Sequence, residues 1–375
     1  MFRVAAFLIL TAAGATLRAE TPARSSGAQA TTPTSTATPA AAPSPTPSTA
    51  PTTDSLINSL GSADLQQAIQ LLKSNFINPD ALNETELNRA LLAGVLSRLD
   101  RGAMILPERP AETAESASAF YGEVLDGHIG YLRLGALNAA NLQAMDAQLQ
   151  TFTAKKVDAA VIDLRASPAT NDFAVAAEFA KRFTPKGKLL FTLRKPAAKQ
   201  ERAFTADRDA AFQGLMIVLA DGETSGPAEA IAGVLRLYNK ALVIGQQTAG
   251  EAVEYSDLPL NGGKILRVAV AEAVLPEGRA LFPGGVKPDL PVEMPTDEKR
   301  LAFHESIEKG MSQFIYESER PHLNEAALLA GRNPEIEAME ATQRRTRANE
   351  KPATRDQVLQ RAVDVVTSLA IYQHR

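Results

Sequence analysis

From residue 128 onward, apolar and polar positions repeat with two different periods. "HIGYLRLGAL" (128–137) alternates and predicts a strand. "NLQAMDAQLQTFTAKKV" (141–157) carries its apolar residues at helical spacing. "DAAVIDLR" (158–165) and "GLMIVLAD" (214–221) are short apolar runs of the kind expected for strands buried on both faces. Around them, "NDFAVAAEFAKRF" (171–183) and "GPAEAIAGVLRLY" (226–238) read as helices, and "GKLLFTLR" (187–194) and "KALVIGQ" (240–246) as strands. The alternation predicts a mainly parallel sheet covered by helices over 128–290. Asn261-Gly262-Gly263, set between alternating segments, signals a hairpin with a positive-φ turn.

The flanks are helical in pattern. Leu65, Ile69, Leu72 and Phe76 share one helical stripe, and Leu87, Leu91, Leu92, Val95 and Leu99 a second, for which Asn83 or Thr85 is a suitable cap. Residues 297–375 become helical again, most regularly at Val358, Leu359, Ala362, Val365, Val366 and Leu369. The expected organisation is a signal segment at 1–19, a linker at 20–54, a helical segment at 55–108, a core at 120–295 and a C-terminal helical region at 296–375.

Composition changes this picture mainly at the start. Arg3 followed by an apolar run, Val4 to Ala13, has the build of an export signal, with cleavage after Ala15 or Ala19. An uncleaved signal would be the protein's means of membrane association. Residues 21–53 are almost entirely Ala, Pro, Ser and Thr, a composition with too little apolar surface to offset ordering. The expected location is therefore periplasmic or secreted. The 375 residues contain no cysteine, which excludes disulfides, thiolate metal sites and a cysteine nucleophile. A net charge of −4 with dispersed basic residues leaves no footprint for nucleic acid, and the short basic run "QRRTRANEK" (343–351) reads as a solvated helix face. No histidine–carboxylate spacing indicates a metal and no glycine-rich loop a nucleotide, so no cofactor is expected.

Five segments, in order, resemble the carboxyl-terminal processing peptidases (tail-specific proteases) of the ClpP/crotonase-like fold. "LLAGVLSRLD" is similar to that family's helix ending in a Leu-Asp-Pro turn, and "GHIGYLRLGAL" to the strand opening its core. "VDAAVIDLRASPAT" resembles its Asp-Leu-Arg-x-x-Pro-Gly-Gly segment, and "GQQTAGEA" its Gly-x-x-Thr-x-Gly-Lys-Gly. "LPEGRALFPGGVKPDLPVE" resembles its closing Pro-x-Gly-Arg stretch. The resemblance covers roughly 60–295 and implies an α/β ClpP/crotonase-like core with a serine nucleophile activated by a lysine.

The chemistry-bearing positions depart from that pattern. The family's serine stands three residues before a helix-start glutamate; counting back from Glu229 reaches Gly226. Its lysine falls on Glu251, and the spacing of 25 residues between the two slots is the family's own. Ala169 and Thr170 occupy the paired glycines that shape the oxyanion pocket. Glycine offers no nucleophile, a carboxylate with a pKa near 4 is a poor base for a hydroxyl, and Cβ atoms restrict the oxyanion loop. Ser225, one residue earlier, is the fallback nucleophile; its alternative reading is a cap for the following helix, beside Pro227 at the first turn. His128, His304, His322 and His374 show no triad-like relation to Ser225, and Lys264 reads as a loop residue. Only about 20 residues separate Pro107 from Gly127, too few for the PDZ domain that most such peptidases insert there. The expectation is a degenerate protease core that binds a polypeptide or protein partner, an active peptidase relative among them. The alternative is an active serine endopeptidase using Ser225.

Overall fold

The buried apolar runs come together as the centre of a six-stranded sheet. A computed structural model describes residues 52–107, 119–168, 170–315 and 355–373. The strands are β1 (Ala103–Leu106), β2 (Tyr121–Leu125), β3 (Ile129–Arg133), β4 (Ala159–Asp163), β5 (Leu189–Lys195), β6 (Gln200–Thr205), β7 (Leu215–Ala220), β8 (Leu242–Gly245), β9 (Val253–Pro259), β10 (Ile265–Leu275), β11 (Arg279–Ala280) and β12 (Leu290–Pro291). The helices are α1 (Thr53–Ser59), α2 (Ser62–Asn75), α3 (Glu84–Leu99), α4 (Ala139–Lys155), α5 (Phe173–Lys181), α6 (Pro227–Asn239), α7 (Thr296–Lys309) and α8 (Gln357–Gln373).

The central sheet has the order β12-β8-β7-β4-β3-β2. Its pairs are parallel except at the edge, where β2 runs antiparallel to β3. The strand period of two sorts its side chains. Leu132, Ile162, Met216 and Val218 face a core shared with Phe152, Phe179 and Leu235 of α4, α5 and α6. Tyr131, Val161, Ile217 and Leu219 face a second core capped by Ala302 of α7 and by Leu359, Ala362 and Val366 of α8. Both faces are covered, which is why β4 and β7 read as unbroken apolar runs.

A single mainly parallel sheet is not what forms. β5, β6, β9, β10, β11 and β1 build a second six-stranded sheet, paired antiparallel throughout. "GKLLFTLR" therefore leaves the parallel sheet and pairs with β6 and β10 instead. The segment 55–108 is also not wholly helical, since β1 lies inside it and pairs with β10. The helical region begins within the expected linker, with Thr52 Oγ1 accepting from Ser55 N–H to start α1 at Thr53. The signal segment, nearly all of the linker, the basic run at 343–351, His322 and His374 lie outside the described residues.

Residues up to Pro79 form one unit and those from Asp80 a second. In the first, the apolar stripe of α2 exists but buries nothing. In the second, Asn83 caps α3 by accepting from Glu86 N–H.

Gly130 shows how closely α4 approaches the central sheet. A Cβ there would stand 2.2 Å from Phe152 Cε2, inside contact distance. Gly130→Ala should lower stability by about 1–3 kcal/mol, as overpacking does in a filled core. Urea denaturation checks this, and an unchanged midpoint would mean that Phe152 has room to move.

Candidate functional site

The loop joining β7 to α6 ends at Gly226, the N-cap of α6, with φ 61° and ψ −129°. A residue with a side chain is strained in that region, and such a turn is what presents a nucleophile in hydrolases built on a strand–turn–helix elbow. The strained backbone is present here, and the side chain is not. Pro227 occupies the first helical position, as expected of proline.

Ser225 does not cap α6. It is 6% exposed, and among the described residues no hydrogen bond ties its hydroxyl to a base or to the helix. The start of α6 is capped instead by Glu229, which accepts from Gly226 N–H, while the turn before it is braced by its own residues. Thr224 Oγ1 accepts from Asp221 N–H at 3.1 Å, and the Asp221 carboxylate accepts from the N–H groups of Glu223 and Thr224. Lys299, almost wholly buried on α7, donates to Asp221 and Glu223 and so holds this loop from below. Its ammonium is committed to these two carboxylates and makes no hydrogen bond to Ser225.

Glu229, fully buried, is the hub of the site. Its Oε2 accepts from Gly226 N–H at 3.1 Å and from Glu251 N–H at 2.7 Å. Its Oε1 accepts from Gly250 N–H at 2.7 Å and from the Thr248 hydroxyl. Burial pushes its carboxyl above the ordinary range, while these four donors pull it back. One carboxylate thereby ties the start of α6 to the loop at 248–251, which brings the two slots together. A Cβ built on Gly226 would lie 3.8 Å from Glu251 O and 3.2 Å from Thr170 O. The registration by the 25-residue spacing places the slots on one cavity of about 240 Å³, lined by Met104, Thr170, Asn171, Gly226, Glu251, Val253, Tyr255 and Arg267. Ala169 lies outside the described residues.

Glu251 is spoken for. Its Oε1 accepts from Arg101 Nη1 at 2.9 Å, an ion pair across 150 residues of chain. Tyr255 donates its hydroxyl to Arg101 O at 2.9 Å, and burial, helped by the charge of Glu251, pushes its phenol up to about 12. Sequence reasoning missed Arg101. It directly follows "LLAGVLSRLD", at the proline position of the Leu-Asp-Pro turn which that segment resembles, and only its charge against Glu251 marks it. It missed Asn171 as well, whose side chain reaches β9.

The other candidates stay apart. His128 Nδ1 meets Asp126 O at 2.9 Å, while His304 and Lys264 are exposed. Among the described residues no group of three His, Asp or Glu side chains is placed to hold a metal ion.

Residues 128–292 match the family described as Peptidase family S41. The core belongs to peptidase family S41. The S41 match begins at the start of β3 and ends just past β12, so it takes in both slots and leaves Arg101 and β1 outside. Similar proteins include the carboxyl-terminal-processing protease of a Synechocystis species, 26% identical over 44% of this chain and 38% of that protein. The carboxy-terminal-processing protease of Bartonella bacilliformis is 29% identical over 48% of this chain and 42% of that one. The matched stretch thus spans less than half the length of these curated relatives. Among solved structures, a putative peptidase from Parabacteroides merdae is similar at 16% identity, with a TM-score of 0.46 over 65% of this chain and 85% of that one.

Proposed function

We propose that this tail-specific-protease-family protein is an exported polypeptide-binding member of the S41 peptidases that does not cut what it holds. The observation that carries the reading is Gly226: the strained turn, the helix N-terminus and the adjoining cavity remain, without a nucleophilic atom at their focus. Glu251 turns its carboxylate to Arg101, away from a base's task. Residues 107–120 join β1 to β2, which supports a chain without a PDZ insertion at that point. The ClpP/crotonase-like assignment of the core, the export signal and membrane association through an uncleaved signal belong to the same proposal. A polypeptide is the fitting ligand, because the cavity is bordered by the edge of a β-sheet, the element to which extended chains add.

A serine-directed fluorophosphonate probe tests the reading. The expected result is no covalent labelling of the purified full chain beyond that of a Ser225→Ala variant. Labelling that disappears in Ser225→Ala would establish the rival, a rearranged serine endopeptidase.

A further inference from the structure

Asn171 makes a contact that helix capping and core packing do not require. Its side-chain Oδ1 accepts from Tyr255 N–H at 3.2 Å, and its Nδ2 donates to Tyr255 O at 3.3 Å. A carboxamide bonded to both the N–H and the C=O of one strand residue stands in for the two bonds that one opposed residue of an added antiparallel strand would make. β9, the strand concerned, pairs only with β10 among the described strands. We infer that the Asn171 carboxamide is a built-in stand-in for a bound polypeptide, and that an extended chain enters the cavity by displacing it from Tyr255.

The local construction suits a displaceable group. Both bonds lie at the long end of the ordinary range, and both are solvent-exposed. The backbone on either side is held independently. Asp172 Oδ1 accepts from Val175 N–H to cap α5, and Phe173 N–H donates to Asn171 O. The Asn171 side chain can therefore swing away without moving the loop. Asn171 and Tyr255 both line the cavity that also contains Gly226 and Glu251. A chain paired at Tyr255 would lie against the empty nucleophile slot, with Met104 and Val253 as apolar wall.

The inference rests on the polypeptide-binding reading and names the contact that gates it. Fluorescein-labelled β-casein, a disordered polypeptide, serves as probe in fluorescence polarisation with the full chain and with Asn171→Ala. Hydrogen exchange of the segment containing Tyr255 is followed alongside, and thermal unfolding confirms that the variant folds. Removing the internal competitor should tighten casein binding about three- to tenfold, the equivalent of one or two exposed hydrogen bonds. The Tyr255 amide should exchange faster in the free variant and be protected again with casein. Binding that appears only in the variant is equally expected if the stand-in dominates. Equal or weaker binding by Asn171→Ala than by a binding-competent wild type overturns the inference alone. Absence of casein binding by both proteins overturns the polypeptide reading and this inference with it.

Discussion

Gly226→Ser combined with Glu251→Lys is expected to give a protein that labels slowly with a fluorophosphonate and cleaves an unfolded substrate very slowly. The first change returns a nucleophile to the strained turn. A side chain at φ 61° costs on the order of 1–3 kcal/mol, and its Cβ stands 3.2 Å from Thr170 O, so the loop must yield by a few tenths of an ångström. The second change sets a lysine against Arg101 where an ion pair stood. A neighbouring guanidinium disfavours the ammonium and lowers the lysine pKa, which helps a base, while repulsion turns the side chain outward. The positions that the family resemblance assigns to the oxyanion pocket still carry Ala169 and Thr170, and loss of one donor from such a pocket costs roughly 10²–10³ in rate. Adding Ala169→Gly and Thr170→Gly should raise the labelling rate above that of either pair alone, because such groups act as a unit. Steady proteolysis by the unmodified protein, abolished in Ser225→Ala, would defeat the account of an emptied site.

Arg165→Met is expected to destabilise the fold by about 3–5 kcal/mol, the usual effect of stripping a buried ion cluster of its cation. Arg165 lies under α8 with its guanidinium bidentate to two fully buried carboxylates. It donates to Asp163 at 2.9 and 2.6 Å and to Asp356 at 3.0 and 2.7 Å. Tyr131 adds a hydroxyl to Asp163 at 2.8 Å, and Asp356 accepts from Leu359 N–H at the start of α8. Burial pushes the Asp163 carboxyl up, but the charge and hydrogen bonds of Arg165 outweigh it and hold the group below its ordinary value. A depressed carboxylate contributes stability above its unfolded pKa and loses it as pH falls through the folded value, so the contribution of Asp163 declines only below about pH 4. Without the guanidinium the sign reverses. The buried Asp163 carboxyl then holds its proton more firmly folded than unfolded, and stability falls as pH rises from 5 to 7. Urea midpoints at those two pH values read both effects. A variant whose midpoint is the same at pH 5 and 7 would show that water reaches the carboxylates.

The elements whose signals are local could be read along the chain. The doubly covered strands β4, β7 and β8 appear as apolar runs because both their faces are buried, β3 as an alternating stretch, and α4 and α5 as periodic stripes because one face of each is buried. Asn83 and Pro227 stand where caps and first turns select them. That Gly226 and Glu251 line one cavity was legible too, through the family resemblance whose 25-residue spacing both positions keep. The remaining features depend on long-range pairing. That β5 pairs antiparallel with β6 and β10 is a matter of partners, and an apolar run carries no record of its partner. The stripe on α2 looks like any core-facing helix in sequence, yet it buries nothing in its own unit. Glu229 as the hub, Arg101 on Glu251 and Asn171 on Tyr255 depend on chain segments 22, 150 and 84 residues apart. Such contacts leave no periodicity, because a single hydrogen-bonding side chain repeats nothing along the chain. They exist only once loop closure has brought the two backbones within reach of each other.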